Sequence, residues 1–436
     1  MKAIDSLSEA RHWIDQRRKK FFSGKKEILS LLLEIEKAIL EDGDAALVKY
    51  TEKFDSKTIS LPQDILRLDS LPEAIKKKID AELSLDVKNA LKLATDRVKR
   101  YHSKQEPQNF SLEESGDGYK AILEQRSVPM ERVALYVPGG TASYPSTVIM
   151  NAVPAKIAGV PEVYMICPQA TAAVIYAASL SGVDAIIPIG GAQAIFAVTY
   201  GTESIARADK VVGPGNIYVT EAKKYCYGKI GIDMPAGPSE ILTVIDSSAD
   251  LELVAADLLS QAEHDVLASA IAIIVSAPGL AEKLKDEVLR QAALLPRKDI
   301  IEHSLRDHSA LISVSSRSEA LSLVDEIASE HLEIHLKESA NFARDVKNAG
   351  AIFVGESCCE VLGDYVIGTN HVLPTVGSAK FESPLSVLDF VKRQSICQID
   401  GMPGDLLKAA EILAKEEGLD AHAMAATLRL NKIGEK

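Results

Sequence analysis

Apolar positions in the first 110 residues repeat at helical spacing. The stretches ILSLLLEIEKAILEDGDAALVKYTEKFD and AIKKKIDAELSLDVKNALKLATDRVKRYHSKQ alternate apolar and charged residues every three to four positions. Such a stripe lets a helix bury one face and expose the other. Residues 1–110 are therefore predicted to form a helical N-terminal region that packs on a separate core.

The pattern changes near Arg132, where short β-rich apolar runs alternate with helical runs. ERVALYV, EVYMICP, DAIIPIGG and DKVVG are predicted strands, and the turns between strands and helices carry Gly and Pro. This alternation is typical of right-handed βαβ units and of a parallel sheet covered on both faces. It predicts a first α/β domain over residues 127–237.

The same alternation returns after GIDMPAGPSE. SEILTVID, LASAIAIIVS, SALISVSS, LEIHLK and AIFVGE are predicted strands of a second α/β domain over residues 238–380. From residue 381 the amphipathic stretches PLSVLDFVKRQ and DLLKAAEILAKEEGLDAHAMAATLRLN predict a helical C-terminal segment. The predicted fold class is α/β, with two incomplete Rossmann-like parallel-sheet domains and helical N-terminal and C-terminal appendages.

The charge balance excludes a general nucleic-acid binder. The 49 Lys and Arg residues face 62 Asp and Glu, which gives a net charge of −13, and only 5% of residues are aromatic. The 5 cysteines are an odd number without metal-finger spacing, which favours a reducing compartment. The charged N-terminus does not resemble a signal peptide, and no apolar run approaches the ~20 residues that span a bilayer. We expect a cytoplasmic protein with no membrane or nucleic-acid partner.

Three glycine loops follow predicted strands of the first domain. They are VPGG at 137–140, IGGAQ at 189–193 and GPGN at 213–216. At this edge of a parallel sheet, helix N-termini present free N–H groups and glycine lets a ligand approach the backbone closely. None matches G-x-G-x-x-G, and each loop alone is better explained as a tight turn than as a phosphate-binding loop. Because three such loops follow one another along one edge of the sheet, a phosphate-binding site there is about as good an explanation as three tight turns.

Two polar pairs are predicted near helix ends of the second domain. Gln261 and His264 are spaced to share one helix face, where amide oxygen and imidazole nitrogen are plausible metal ligands. The alternative is a histidine that interacts with the helix dipole. Glu330 and His331 are predicted to end a later helix, where a carboxylate and an imidazole are well placed to share proton transfer. Taken in isolation, the pair is better explained as two boundary residues whose polar groups are satisfied by the protein.

A long uncharged stretch, GDYVIGTNHVLPTVGSAKF, carries Asp364 and His371. Irregular segments of this length are usually functional. Asp364 offers a hard oxygen ligand and His371 a hydrogen-bond donor or acceptor. Farther along, His422 lies in LDAHAMAAT with Glu417 just upstream.

Together these strings resemble the L-histidinol dehydrogenase family. GPGNIYVTEAK, DMPAGPSEI, LLSQAEHD, ASEHLEI, GDYVIGTNHVLPTVGSAKF and HAMAATLRL occur in the family's order between about Arg132 and Asn431. The resemblance implies a zinc- and NAD-dependent four-electron oxidation of L-histidinol to L-histidine through a bound aldehyde. It also implies a role in the last steps of histidine biosynthesis.

The resemblance further implies the role of each site residue. One Zn²⁺ per subunit would be held by Gln261, His264, Asp364 and His422. His331 would take the carbinol proton, and Glu330 would activate the water that attacks the aldehyde. The substrate would also contact Ser239, His371 and Glu417, and NAD would contact Tyr136, Gln193 and Asn216.

The family resemblance also implies a homodimer whose C-terminal segment reaches the active site of the neighbouring subunit. Glu417 and His422 would then be supplied by the partner chain. The predicted terminal helix follows a long connection and has no evident place in either sheet, which is compatible with this exchange.

Three other functions are weighed against this one. A related dehydrogenase of another small alcohol, such as a sulfonated diol, would keep the metal and the Glu330–His331 pair but lose the contacts assigned to His371 and Glu417. A zinc hydrolase would need an open metal position and no dinucleotide edge. The fourth function, a non-catalytic metal-binding or partner-docking protein, does not account for the presence of both the full ligand set and the base pair. The glycine loops and the complete residue set favour histidinol oxidation.

Overall fold

The computed structural model of the chain describes residues 1–22, 26–139 and 144–434. Gly140, the last residue of the first predicted glycine loop, lies outside the described residues. The strands are β1 (Lys2–Ile4), β2 (Leu66–Arg67), β3 (Phe110–Gly116), β4 (Tyr119–Pro129), β5 (Arg132–Tyr136), β6 (Glu162–Ile166), β7 (Ala185–Ile187), β8 (Lys210–Val212), β9 (Gly231–Ile232), β10 (Glu240–Ile245), β11 (Ser269–Val275), β12 (Ala310–Val314), β13 (His331–His335), β14 (Ala351–Val354) and β15 (Val391–Gly401).

Helices precede, separate and follow these strands. They are α1 (Leu7–Phe22), α2 (Lys26–Asp55), α3 (Glu73–Glu82), α4 (Leu85–His102), α5 (Pro145–Ile157), α6 (Ala172–Ser181), α7 (Gly191–Tyr200), α8 (Ile217–Cys226), α9 (Leu251–Ala262), α10 (Leu280–Ala292), α11 (Lys298–Asp307), α12 (Arg317–Ile327), α13 (Ser339–Asp345), α14 (Glu360–Tyr365), α15 (Gly404–Glu416) and α16 (Asp420–Gly434). Short 3₁₀ turns occupy Ser378–Lys380 and Val387–Phe390. Among the described residues, no helix combines the length and the apolar composition needed to cross a membrane.

Contacts in space divide the chain into two compact units. One unit comprises Met1–Gln105 with Met130–Phe390, and the other comprises Glu106–Pro129 with Val391–Lys436. The larger unit contains two six-stranded sheets, and the smaller contains a three-stranded antiparallel sheet, β15-β4-β3, followed by α15 and α16. The segment GIDMPAGPSE connects the last strand of one large sheet, β9, to β10 of the other.

The first large sheet has the strand order β2-β7-β6-β5-β8-β9, and its pairs are parallel except at the β2 edge. Successive side chains of β5 alternate between two apolar cores. Ala134 and Tyr136 join the core with α2, α7 and α8, whereas Val133 and Leu135 join the core with α4, α5 and α6. Burial on both faces explains why these strands are continuous apolar runs.

The second large sheet has the order β1-β12-β11-β10-β13-β14, and all its pairs are parallel. On β13, Leu332 and Ile334 face the apolar core that includes residues of α1 and α12. Because side chains alternate along a strand, His331, Glu333 and His335 share the opposite face. These three ionisable side chains are all buried, on an interior strand next to the edge strand β14.

The prediction of a helix over PLSVLDFVKRQ is wrong. After a 3₁₀ turn, β15 pairs antiparallel with β4 from Val391↔Pro129 to Gly401↔Tyr119. The amphipathic pattern did not reveal this strand because its partner lies more than 250 residues earlier, and strand formation depends on such cross-strand partners. The C-terminal segment is helical only from Gly404, with a break between α15 and α16 at Gly418, whose φ is 69°.

The predicted helical location of Glu330 and His331 is also wrong. α12 ends at Ile327, and Ala328 adopts a left-handed conformation with φ 50° as its C-cap. The chain then enters β13, whose first residue His331 pairs with Ile241 of β10 and Ala351 of β14. The period-two pattern of HLEIH is the strand signal, and the turn at Ala328 separates it from the helical pattern before it.

The N-terminal helix α1 is fastened to the second sheet by a buried ion pair. Arg17 donates from Nη2 to Glu240 Oε2 at 2.5 Å and to Ser269 Oγ at 2.6 Å. The Glu240 side chain is 1% exposed, and its other oxygen accepts the N–H of Val376 at 2.7 Å. Removal of the guanidinium would leave a buried carboxylate without its charged partner.

We therefore predict that Arg17→Met lowers the free energy of unfolding by about 3 kcal/mol, because breaking a buried ion pair strands the remaining charge. Arg11→Met is the matched control on the same helix. Arg11 pairs with Glu326 where both side chains are partly exposed, and its loss should cost less than about 1 kcal/mol. Urea unfolding of both variants measures the difference, and equal losses would contradict this account.

Candidate active site

The polar residues predicted in the second domain meet at the amino ends of its central strands. Glu240 begins β10, His331 begins β13, and Glu330 directly precedes His331. Ser239 precedes β10, and its carbonyl accepts the N–H of Ser269 at 3.1 Å. Because parallel strands bring their amino ends to one edge, these residues line the same edge of the sheet.

His331 is the centre of this cluster and is 3% exposed. Its Nδ1 lies 3.2 Å from the carbonyl oxygen of Glu240, to which a protonated Nδ1 donates. Asp364 Oδ1 lies 3.5 Å from Nε2, while Glu330 Oε2 and Glu360 Oε1 lie 3.8 Å and 3.9 Å from Nδ1. Nε2 has no hydrogen-bond partner, so this atom remains available to a ligand.

Burial and mutual proximity shift the pKa values of this cluster. Burial alone would lower the pKa of His331, but the carboxylates of Glu330, Asp364 and Glu360 raise it to about 10. Burial raises the pKa of Glu330 to about 8 and that of Glu360 to about 7. Burial also acts to raise the pKa of Asp364, but contact with His331 holds it below its usual value. Ionised together, these buried carboxylates would repel each other, and a further cation would stabilise their ionised forms.

Two carboxylates and an imidazole are grouped where a metal ion can bind. One donor atom each from His264, Glu360 and Asp364 lies within 4.8 Å of the others. Desolvation of the His264 ring lowers its pKa and favours the neutral form that ligates metals. The amide of Gln261, one turn earlier, is buried and neither of its polar atoms has a partner. This donor set fits a divalent ion such as Zn²⁺.

The long loop after α14 carries His371 into the same neighbourhood. His371 Nδ1 donates to the carbonyl oxygen of Asp364 at 2.9 Å, and burial lowers the pKa of its imidazole. The loop is anchored on both large sheets. Asn370 donates to Met150 O of α5 at 2.7 Å, and the N–H of Val376 donates to Glu240. This long loop thus connects the first sheet, through α5, with β10 of the second sheet.

Two predicted site residues lie in the smaller compact unit. Glu417 is the C-cap residue of α15, and His422 lies in the first turns of α16. Both are exposed. The larger unit by itself brings together Ser239, Gln261, His264, Glu330, His331, Asp364 and His371.

The glycine loops of the first sheet are held by specific contacts at the carboxyl ends of its strands. Gly191 donates its N–H to the hydroxyl of Tyr136 at 2.9 Å. Gly213 has φ 107°, and a Cβ there would lie 2.2 Å from the carbonyl oxygen of Tyr136, so only glycine fits. Asn216 caps α8, because its side-chain oxygen accepts the N–H groups of Tyr218 and Val219.

A cavity of about 770 Å³ opens beside these loops. The cavity is lined by Tyr136, Gln193 and Asn216, the three residues that the family resemblance implies for NAD contact. Gln193 is 1% exposed, and neither polar atom of its amide has a partner. The volume lies within the range typical of small-molecule and cofactor sites, and the unpaired amide marks a point where a polar ligand would bind.

Several side chains in or near the candidate site were not predicted from the sequence. Glu360 lies one helical turn before Asp364, a spacing that could have identified it as a second carboxylate on the same face. Glu240 and Arg17 carry no local signal, since their pairing joins residues 223 positions apart. Asp55 and Lys57 line the cavity from the N-terminal region, which showed only helical periodicity.

Comparison with known proteins agrees with the motif resemblance. A family model described as histidinol dehydrogenase matches residues 18–430. The histidinol dehydrogenase of Pseudomonas syringae pv. syringae (strain B728a) is 45% identical over 405 residues, which covers 92% of this chain and 88% of that protein. That of Aquifex aeolicus (strain VF5) is 43% identical over 426 residues, with coverage of 96% and 97%.

A solved structure extends the agreement to the fold. The crystal structure of histidinol dehydrogenase from Elizabethkingia anophelis superposes with a TM-score of 0.89 at 32% identity, covering 100% of this chain and 99% of that one. The predicted fold class, with parallel-sheet domains and helices at both termini, is confirmed. The chain therefore belongs to the histidinol dehydrogenase family and is an oxidoreductase.

Proposed function

We propose that this protein oxidises L-histidinol to L-histidine in histidine biosynthesis, with two NAD molecules taking up four electrons and the aldehyde kept bound between the two steps. The observation that carries the proposal is the buried imidazole of His331, with an unpartnered Nε2 beside metal-type donors. The family relationship supports the same substrate, because the relatives are named for it.

The proposed metal ligands are Gln261, His264 and Asp364, with His422 of the partner subunit completing the set. The orphaned Gln261 amide and the grouped donors of His264 and Asp364 support this assignment. A bound Zn²⁺ would hold the imidazole and amine nitrogens of the substrate and reduce the negative field around His331. Ser239 and His371, together with Glu417 of the partner subunit, are proposed to contact the substrate.

His331 is the proposed base for the carbinol proton. In the neutral imidazole, donation from Nδ1 to the Glu240 carbonyl fixes the tautomer whose Nε2 lone pair is free. The surrounding carboxylates raise the pKa of His331, and a bound cation would offset this effect and favour the neutral form. Almost complete burial keeps bulk water away from the reacting carbon. A proton accepted at Nε2 as hydride leaves would be stabilised by the Asp364 carboxylate, 3.5 Å away.

Glu330 is the proposed base for the hydration step. Its Oε2 accepts the N–H of Glu240 at 2.9 Å, which fixes the direction of the carboxylate. Burial raises its pKa to about 8, and a carboxylate of that basicity accepts a proton from water more readily than an exposed one. Water activated there would attack the bound aldehyde and give the hydrate that is oxidised in the second step.

NAD is proposed to bind in the cavity beside the glycine loops, where it would accept the hydride. Tyr136, Gln193 and Asn216 line that cavity, and the buried Gln193 amide lacks any protein partner. The hydroxyl of Tyr136 accepts from Gly191 and keeps its own proton free for a ligand.

We also propose a cytoplasmic homodimer in which Glu417 and His422 serve the neighbouring active site. Their exposure on the smaller unit leaves both side chains accessible to a second subunit. All five cysteines are free thiols, which suits a reducing compartment.

A spectrophotometric assay tests the proposed reaction. Protein supplied with Zn²⁺, NAD and L-histidinol should form two equivalents of reduced nicotinamide per substrate, with histidine as product. One equivalent with free aldehyde would overturn the second oxidation step. Turnover of a sulfonated diol but not of histidinol would replace the proposed substrate.

His331→Asn should lower kcat about a thousandfold, since a positioned general base contributes roughly 10²- to 10⁴-fold. Its zinc content should equal that of the parent, because His331 is not a proposed ligand. His303→Asn, an exposed histidine of α11, is the matched control and should retain parental kcat. Parental activity in His331→Asn would remove this residue from the mechanism.

Exchange between subunits can be tested by mixing two inactive variants. His422→Ala and His331→Asn chains should each be inactive alone, but hybrid dimers should contain one intact site. Random pairing then gives about one quarter of the parental activity. Verified hybrid dimers without activity would refute the shared site.

A further inference from the structure

Glu333 is a fully buried carboxylate on the central strand β13, two residues after His331. An apolar side chain would suit this position better, since burying a carboxylate costs free energy unless it is paired and hydrogen-bonded. The role proposed above for the site does not use Glu333. Its contacts show what it does instead.

One oxygen of Glu333 binds the start of α14. Oε1 accepts the backbone N–H of Glu360, the first residue of that helix, at 2.7 Å. α14 has 6 residues, too few to be stable without external contacts. Asp364 lies one turn after Glu360, so the position of Glu360 sets the position of the Asp364 carboxylate.

The other oxygen of Glu333 faces α9 and the end of its own strand. Oε2 lies 3.5 Å from His335 Nε2, and one donor atom each of Asp257 of α9, Glu333 and His335 lies within 4.8 Å of the others. The side chain of Glu360 is held from the same helix, because Ser260 donates to its Oε2 at 2.7 Å. Gln261 and His264 follow Ser260 within four residues.

α14 has little freedom to settle elsewhere. Gly363 packs directly on the ring of Phe353 in β14, where a Cβ would lie 2.5 Å from a ring carbon. This contact fixes the depth of the helix on the sheet, while Glu333 fixes its first turn. Glu333 is thus the point where the elements bearing His331, Asp364 and the Gln261–His264 pair are joined.

We propose that Glu333 is a positioning residue that keeps β13, α9 and α14 in register, so that Gln261, His264 and Asp364 converge on one ion beside His331. The inference rests on the proposed metal-dependent function. It does not require a change in protonation of Glu333, because a neutral amide oxygen can also accept the Glu360 N–H.

The test makes two measurements on each variant. Zinc affinity is measured on metal-free protein by competition with a chromophoric chelator, and stability is measured by thermal unfolding. Glu333→Leu removes the acceptor and should weaken zinc binding by at least about tenfold, as loss of a residue that orients a ligand typically does. Glu333→Gln keeps the accepting oxygen and should stay within about threefold of the parent. The visible spectrum of the Co²⁺-loaded protein should change in Glu333→Leu and not in Glu333→Gln.

Thr243→Val is the matched control. Thr243 pairs in register with Glu333 on β10, is fully buried, and its hydroxyl has no partner. Its loss should leave zinc affinity unchanged. Equal losses in Thr243→Val and Glu333→Leu would mean general loosening of the sheet and would overturn the inference.

Parental zinc affinity in a folded Glu333→Leu variant would overturn the positioning role and leave the proposed function intact. A parent chain that binds no zinc would overturn both. If Glu333→Leu does not fold, Glu333→Asp provides the same test. Aspartate retains the charge but withdraws the acceptor by one methylene. Weaker zinc binding at parental thermal stability would support the positioning role, and parental zinc affinity would overturn it.

Discussion

Three carboxylates surround one buried imidazole at the amino edge of the second sheet. The contacts of β10, α9 and α14 around this edge hold these four side chains together. Glu330, Glu360 and Asp364 lie between 3.5 and 3.9 Å from the ring nitrogens of His331. Like charges this close and this buried repel each other unless each is hydrogen-bonded or neutralised. The backbone N–H of Glu240 donates a hydrogen bond to the Glu330 carboxylate, and the hydroxyl of Ser260 donates one to the Glu360 carboxylate. The negative charge that remains is what makes a divalent ion a fitting partner.

The glycine loops and the ionisable cluster lie at opposite strand ends of the two large sheets. The glycine loops occupy the carboxyl ends of strands in the first sheet, the usual location in parallel α/β folds. The acid–base cluster instead occupies the amino ends of strands in the second sheet. The loop with Asn370 and His371 contacts both sheets, and this bridge explains how one chain combines a cofactor-type cavity with a metal-type cluster.

Sequence patterns predicted most of the α/β core because its strands are continuous apolar runs and its helices are amphipathic. They failed where a partner distant in sequence decides the structure, as in β15, whose antiparallel pairing with β4 replaces a predicted helix. They also placed His331 at a helix end, although the alternation in HLEIH already indicated a strand. Within the candidate site, residue types and motif resemblance pointed to His264, Asp364 and His331, which the fold places in one neighbourhood. Glu240 and Glu333 were missed because a buried carboxylate within an apolar strand gives no sign in the sequence of what it contacts.

The central claim is that Gln261, His264 and Asp364 bind one divalent ion next to His331. A crystal structure of the zinc-loaded protein, with anomalous scattering recorded on both sides of the zinc absorption edge, tests it directly. The account predicts one anomalous peak per subunit within about 2.0–2.3 Å of donor atoms from all three side chains. A peak at another location, or a zinc ion that contacts none of the three, would contradict it.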